Sequence, residues 1–252
     1  TAIVGISFRM LLNDVFYKDA KTKMESGIVY LAHDIRRIKQ QLIHSTELVK
    51  HNLEIDSYLE KIAENHSTIF QDSREEIAIK LLNQLQYSSM DEIYIYDSSH
   101  NILGFAKVHK DNYLCGYQLN DKEKTIFSKL NNEEKFSKNK IRPLIPRYVY
   151  KHNDPFSKSA TTGHYRVIDN NVNILSHKEY THDNTVIGAI SLVKVINKEY
   201  IDLISRKLNT NIQFIISDEG INKFKTEYGI DIKKDDIFIP PLFSDIRDTL
   251  SV

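Results

Sequence analysis

The chain has 252 residues, with 34 Lys+Arg against 34 Asp+Glu, so its formal net charge is zero. Hydrophobic residues make up 41% and charged residues 27%, a globular balance that excludes a disordered tail or a collagen-like fibre. Zero net charge excludes a general nucleic-acid binder, which needs a basic excess to displace counterions. The single cysteine, Cys115, excludes an internal disulfide framework and a Cys-based zinc site.

The first half reads as helix. Val4, Phe8, Leu11 and Val15 step by four, three and four, and Met24, Ile28, Leu31, Ile35, Ile38 and Leu42 repeat that alternation. Such spacing places one apolar stripe on one helix face. A register break is expected at Lys18 to Lys23. One helix over residues 1 to about 50 would be ~75 Å long at 1.5 Å per residue. It would pair with a second copy as a dimer stalk or pack along its own domain. The apolar run Ala2 to Phe8 stops at Arg9, short of the roughly 18–20 residues that span a bilayer. With Thr1 first and no basic n-region, the expectation is a piece excised or processed from a larger protein.

A second helix is expected at Ile55 to Glu64. A third follows Ser73, which with Glu76 makes a capping-box pattern ahead of Ile77, Leu81 and Leu85. At Met90 the period changes. Glu92 to Asp97 and Ile102 to Val108 read as a hairpin across the turn Ser98-Ser99-His100-Asn101. Asp121 to Leu130 reads as a short helix. Residues 131 to 163 lack periodicity and carry Pro143, Pro146 and Pro155. Tyr165 to Ile168, Val172 to Tyr180 and the strongly apolar Val186 to Ile196 read as strands, the last of them central. Asn197 can cap a helix running to Leu208. Ile212 to Ile216 reads as a last strand.

The expected class is α+β, with a long N-terminal helix and helical segment on an antiparallel sheet of about five strands. Residues 1–89 form the helical part, 90–210 the sheet module and 211–252 a small extension.

No G-x-S-x-G, P-loop, G-x-G-x-x-G, H-E-x-x-H or EF-hand pattern is present. His164, His177 and His182 could meet at one end of the sheet, but no carboxylate or Cys completes a metal set at fixed spacing. No catalytic residue, metal or cofactor is expected. A hydrolase would require an activated nucleophile, and no Ser is marked as one.

The aromatic residues say more. Nine of fourteen tyrosines fall between Tyr87 and Tyr180. Tyr94 and Tyr96 alternate with Ile93 and Ile95, so that strand has an aliphatic and a phenolic face. The aliphatic face packs on helices. The phenolic face either lines a ligand pocket or stands half-exposed. Arg147-Tyr148-Val149-Tyr150 and Tyr165-Arg166 each combine a guanidinium with phenols that can clamp an anionic group, or are solvated.

The hairpin Glu92-Ile93-Tyr94-Ile95-Tyr96-Asp97-Ser98-Ser99-His100-Asn101-Ile102-Leu103 resembles the opening hairpin of bacterial extracytoplasmic Cache domains. These are PAS-like sensor modules of transmembrane receptors. Val108-His109-Lys110 with Tyr113 and Gly116 to Leu119 resembles the segment after that hairpin in the double-Cache branch, with Asp111 in place of Pro and Tyr117-Gln118 in place of an acidic pair. Ile187-Gly188-Ala189-Ile190, then Lys198 to Leu208 and Ile212 to Ile216, resembles the family's last strand, helix and strand. The preceding long helix fits as well. Arg147 to Tyr150 lacks the Trp of the family's Arg-x-Trp-Tyr motif.

The resemblance implies an extracytoplasmic (periplasmic) sensor anchored in the inner membrane, without enzyme activity of its own. Such a region feeds a histidine kinase, a diguanylate cyclase or phosphodiesterase, or a chemoreceptor module. Its implied partners are a small-molecule ligand and a second copy through the N-terminal helix. Tyr94, His109, Arg147, Tyr150, Tyr165 and Arg166 are the pocket candidates. The alternative is a coiled-coil structural or interaction protein without a small-molecule ligand.

Overall fold

The computed structural model describes residues 2–52, 55–64, 71–99, 101–120, 125–131, 133–136, 164–168 and 171–209. Helix α1 (Ala2–Asn52) is followed by α2 (Ile55–Glu64) and α3 (Gln71–Gln86). Then come β1 (Glu92–Asp97), β2 (Ile102–His109), β3 (Asn112–Asn120), β4 (Thr125–Leu130), β5 (His164–Ile168), β6 (Asn171–His182), β7 (Thr185–Ile196) and α4 (Lys198–Leu208). The strands form one seven-stranded sheet in the order β4-β3-β2-β1-β7-β6-β5.

The fold is α+β, as expected, but the sheet has seven strands rather than about five. Residues 125–130 are β4 and not part of a helix. Ile126, Ser128 and Leu130 alternate with Phe127 and Lys129, and the segment pairs antiparallel with β3 from Leu114↔Leu130 to Asn120↔Thr125. Period two and a partner strand override the helical reading. Strand β3 itself is new, joined to β2 across a turn whose Lys110 has φ 54°.

Helix α1 is one continuous helix, and the register break at Lys18 to Lys23 belongs to its apolar stripe alone. The apolar stripe lapses between Lys18 and Lys23, but the helix does not. Lys23 Nζ bonds Asp19 Oδ2 at 2.7 Å and Lys21 lies 3.9 Å from Glu25, so solvated i,i+4 pairs carry the helix through. Helix α3 begins at Gln71, ahead of Ser73. Glu76 does not act as a capping-box partner. Its carboxylate accepts from the Tyr58 hydroxyl at 2.7 Å and pairs with Lys80 at 3.2 Å.

The described chain divides into two compact units, residues 38–195 and a unit formed by α1 up to Arg37 with α4. In the larger unit α3 covers one sheet face. A Cβ on Gly104 would stand 2.7 Å from Ile77 Cγ2 and 3.2 Å from the Ala78 nitrogen, so helix and strand meet almost backbone to backbone. Gly188 is held as closely against Leu59 of α2. The C-terminal turns of α1 join β6. Thr46 bonds Ser176 Oγ at 2.7 Å, Glu47 pairs with Lys178, and Lys50 Nζ sits 4.8 Å above the Tyr180 ring. The β6–β7 hairpin turns on Asp183 and Asn184, both left-handed at φ 47° and 62°, the backbone of a two-residue primed turn.

In the smaller unit Asn197 caps α4, accepting from the Tyr200 nitrogen at 3.0 Å, and Asn209 ends it in the left-handed region. Ile201 and Ile204 of α4 are buried, as are Leu31 and Ile35 of α1. No helix among the described residues is long and apolar enough to cross a membrane. The expected strand Ile212 to Ile216 lies outside the described residues, as do the extension and residues 137–163 of the aperiodic stretch.

Candidate functional site

Ile95 is paired with Gly104 and therefore shares its helix-covered face, while Tyr94 and Tyr96 point the other way. The phenolic face is not half-exposed. Tyr94 and Tyr96 are buried in a cluster with Ile102, Phe105, Leu114, Ile126, Ala189 and Val193. The Tyr94 ring stacks on Tyr96 at 6.0 Å between centroids and on Phe105 at 5.8 Å.

A row of side chains crosses this face. Register sets Tyr94 opposite Phe105 on β2 and opposite Ser191 on β7, and Phe105 opposite Gly116 on β3. Ser191 Oγ lies 2.7 Å from His177 Nδ1 on β6, extending the row by one strand. Gly116 permits the wall to close, because a Cβ there would press within 2.7 Å of the Phe105 ring. One step along the strands Glu92 stands between Lys107 and Val193. The Tyr94 hydroxyl donates to Glu92 Oε2 at 2.9 Å. Burial pushes the Glu92 carboxyl up to about 6, against the opposing pull of Lys107 and of the Tyr94 hydrogen bond. Asn173 is also buried. Its amide donates to the Asn171 carbonyl at 3.1 Å, and its Oδ1 meets no donor among the described residues.

The arrangement is chemically a binding surface. It offers an aromatic wall, a carboxyl that titrates near neutrality, a phenol and a hydroxyl–imidazole pair. Among the described residues no group of three His, Cys, Asp or Glu side chains is placed to hold a metal ion. His177 and His182, five residues apart on one strand, fall on opposite faces of the sheet. His182 pairs with Glu60 at 3.2 Å and Asp183 at 3.5 Å near the hairpin turn, and His164 lies opposite Leu175. His177 is five residues from His182 along β6, about 16 Å at strand rise.

Of the six pocket candidates, Tyr94 lies in the row. His109 ends β2, four residues beyond Phe105, about 13 Å along the strand. Tyr165 and Arg166 lie on the edge strand β5, in register with Ile174 and Asn173, three strand spacings or about 14 Å from β1. These four are therefore not one cluster. Arg147 and Tyr150 lie outside the described residues. Glu92, Ser191 and His177 were missed as ligand candidates. Glu92 was accessible to the period-two argument, two residues before Tyr94 on the same face. His177 and Ser191 face each other across the β6–β7 hairpin, and which residues of its two strands meet depends on a register that the strand pattern alone does not fix.

No protein-family model matches the chain, and neither does any curated protein or solved structure.

Proposed function

We infer that this chain is the extracytoplasmic ligand-sensing region of a bacterial transmembrane signalling receptor, with a kinase, cyclic-dinucleotide or chemoreceptor output. The observation that carries the reading is the buried phenolic face. Helices cover one side of the sheet, and the other gathers Tyr94, Tyr96 and Phe105 around Glu92, Ser191 and His177. Aromatic walls with a few placed polar groups are the usual make-up of a small-molecule site. The long α1, the β1–β2 hairpin, and β7 followed directly by α4 are the elements the Cache resemblance implies. A ligand that favours one arrangement of this face over another would shift a two-state equilibrium and be read out through α1.

The test is a thermal-shift screen against carboxylates, amino acids, amines, purines and short-chain fatty acids. A ligand at about 100 times its Kd adds about 2.7 kcal/mol, a shift of several degrees. A saturable hit whose affinity falls in Ser191→Ala supports the reading. A hit indifferent to Ser191 and Tyr94 substitutions moves the site elsewhere, and a flat screen overturns the small-molecule reading.

A second reading, self-association as the main role, is favoured by Val15, Phe16, Val29 and Tyr30, large apolar side chains exposed on α1. It predicts a dimer in solution and no small-molecule hit.

A further inference from the structure

We propose that Glu92, buried on the phenolic face between Lys107 and Val193, is a proton-binding site through which mild acidification tightens the centre of the sheet. The carboxyl sits on β1, the middle strand of seven, and is only 7% exposed. Its surroundings are mostly apolar. Leu114 and Val193 are buried in the same cluster, and Leu130 and Val195 pack against it.

The groups that face Glu92 can be taken element by element. From β1, Tyr94 donates to Oε2, and Asp91 opposes ionisation while itself holding Lys194 Nζ at 3.0 Å and the Val195 nitrogen at 2.7 Å. From β2, Lys107 is the register partner and acts across the strands, without a direct ion pair to Glu92 among the described residues. From β7 come Val193 and Ser191, both uncharged, and from β6 His177, which bonds Ser191. From β3, Leu114 stands beyond Lys107. One cation at a distance and one phenol are set against nearly complete burial, and burial prevails: the carboxyl moves from 4.5 to about 6.

The sign follows from linkage. A carboxyl whose folded pKa is raised binds its proton more tightly in the folded chain than in the unfolded one. Its stabilising contribution is full below about pH 4.5 and is lost as pH rises through about 6, with a fall of about 30-fold in the folding constant. The effect runs opposite to that of an ion-paired surface carboxylate. The inference does not rest on the sensor reading, because no ligand enters the test.

The experiment is a carboxyl-carbon NMR titration of the glutamate-labelled 252-residue chain, with urea unfolding across the same pH range, for wild type, Glu92→Gln and Tyr94→Phe. One glutamate should titrate near pH 6 in wild type and vanish in Glu92→Gln. Its midpoint should rise in Tyr94→Phe, which removes the hydrogen bond to the ionised form. The folding constant of wild type relative to Glu92→Gln should fall about 30-fold from about pH 3 to about 7, roughly half of that factor remaining at about pH 4.5. If every glutamate titrates near 4.5, or if that ratio is flat with pH, the proposal is overturned. Should Glu92→Gln fail to fold, the wild-type midpoint and its movement in Tyr94→Phe decide the matter alone.

Discussion

The hydroxyl of Tyr200 donates to Asp34 Oδ2 at 2.5 Å, while the Arg37 guanidinium donates to Oδ1 of the same carboxylate at 2.6 Å. One side chain of α1 thus holds both a neighbour on its own helix and the first turn of α4. Burial alone would raise the Asp34 carboxyl, but the Tyr200 hydroxyl and Arg37 outweigh it and hold it below its ordinary 3.8. Burial, then the adjacent carboxylate, pushes the Tyr200 phenol upward. Tyr200→Phe is therefore expected to lower stability by about 1–2 kcal/mol at neutral pH. A carboxyl with a depressed folded pKa stabilises above its unfolded value and loses that contribution as pH falls through the folded one. The gap between wild type and Tyr200→Phe in urea unfolding should accordingly close in strong acid, below about pH 4. A gap that widens in acid would contradict this account.

Two glycines should respond to the same substitution with opposite signs. A Cβ at Gly116 would lie 2.2 Å from the Phe127 carbonyl oxygen and 2.7 Å from the Phe105 ring. The first of these is backbone of the paired strand and cannot step aside. Gly116→Ala should cost about 1–3 kcal/mol. Gly27 lies inside α1, where the nearest atom to an added Cβ is Leu208 Cδ1 at 3.7 Å, an ordinary contact. Gly27→Ala should stabilise by about 0.5–1 kcal/mol, because it removes the backbone freedom glycine loses in a helix. Paired thermal melts of the two variants give the signs directly.

The Thr46–Ser176 bond joins α1 to β6 inside the core, both hydroxyls being buried. Removing the Thr46 hydroxyl takes from Ser176 its bond to the helix, at a cost of about 1–3 kcal/mol. Thr46 also bonds the Leu42 carbonyl at 2.8 Å, so it keeps a local partner that offsets part of the loss in Ser176→Ala. Thr46→Val should then cost more than Ser176→Ala, and the double variant less than their sum. Chemical denaturation of all four proteins closes the cycle, and strict additivity would mean that the bond carries no coupling.

Local rules were legible where local physics decided the outcome. Asn197 announced the start of α4 because a cap is satisfied within three residues, and the alternation of Ile93 to Tyr96 announced a two-faced strand. Residues 121–130 were misread because six strand residues with a mixed apolar pattern admit either period until a partner is known. Strand β3, which supplies that partner, carries the strand formers Tyr113, Leu114 and Tyr117, but Gly116 interrupts the run and the residues do not alternate between apolar and polar. The site divides in the same way. Tyr94 follows from alternation, whereas the Ser191–His177 pair depends on the exact register of the β6–β7 hairpin, which the alternation of neither strand fixes.

If the phenolic face binds a ligand, its polar row sets an order of effects. Ser191→Ala breaks the bond to His177 and removes one polar group of the row, so it should weaken an identified ligand by about tenfold or more. Leu203→Ala, on an exposed position of α4, should leave the affinity unchanged. Calorimetric titration of both variants distinguishes the two. Equal losses would mean that the hit binds elsewhere.

The α1 stripe sets a final prediction, because its two sides have different work. Leu31, Ile35, Leu42 and Val49, on the spacing that suggested a coiled-coil seam, are buried within the chain's own fold, Ile35 at 0% exposure. A seam already filled cannot also be the contact to a second copy. Ile35→Ala and Leu42→Ala should each cost about 2–5 kcal/mol of folding stability, whatever the concentration. Elsewhere on α1, Val15, Phe16 and Val29 are 55%, 67% and 68% exposed and open to a second copy. The double substitution Phe16→Ser and Val29→Ser should leave the unfolding midpoint of dilute protein within about 0.5 kcal/mol of wild type. Sedimentation over a concentration series should at the same time show self-association weakened. A wild-type dimer that survives the double substitution would place the contact away from Phe16 and Val29. A wild-type chain that stays monomeric at the highest concentration would show that these exposed residues do not by themselves hold two copies together.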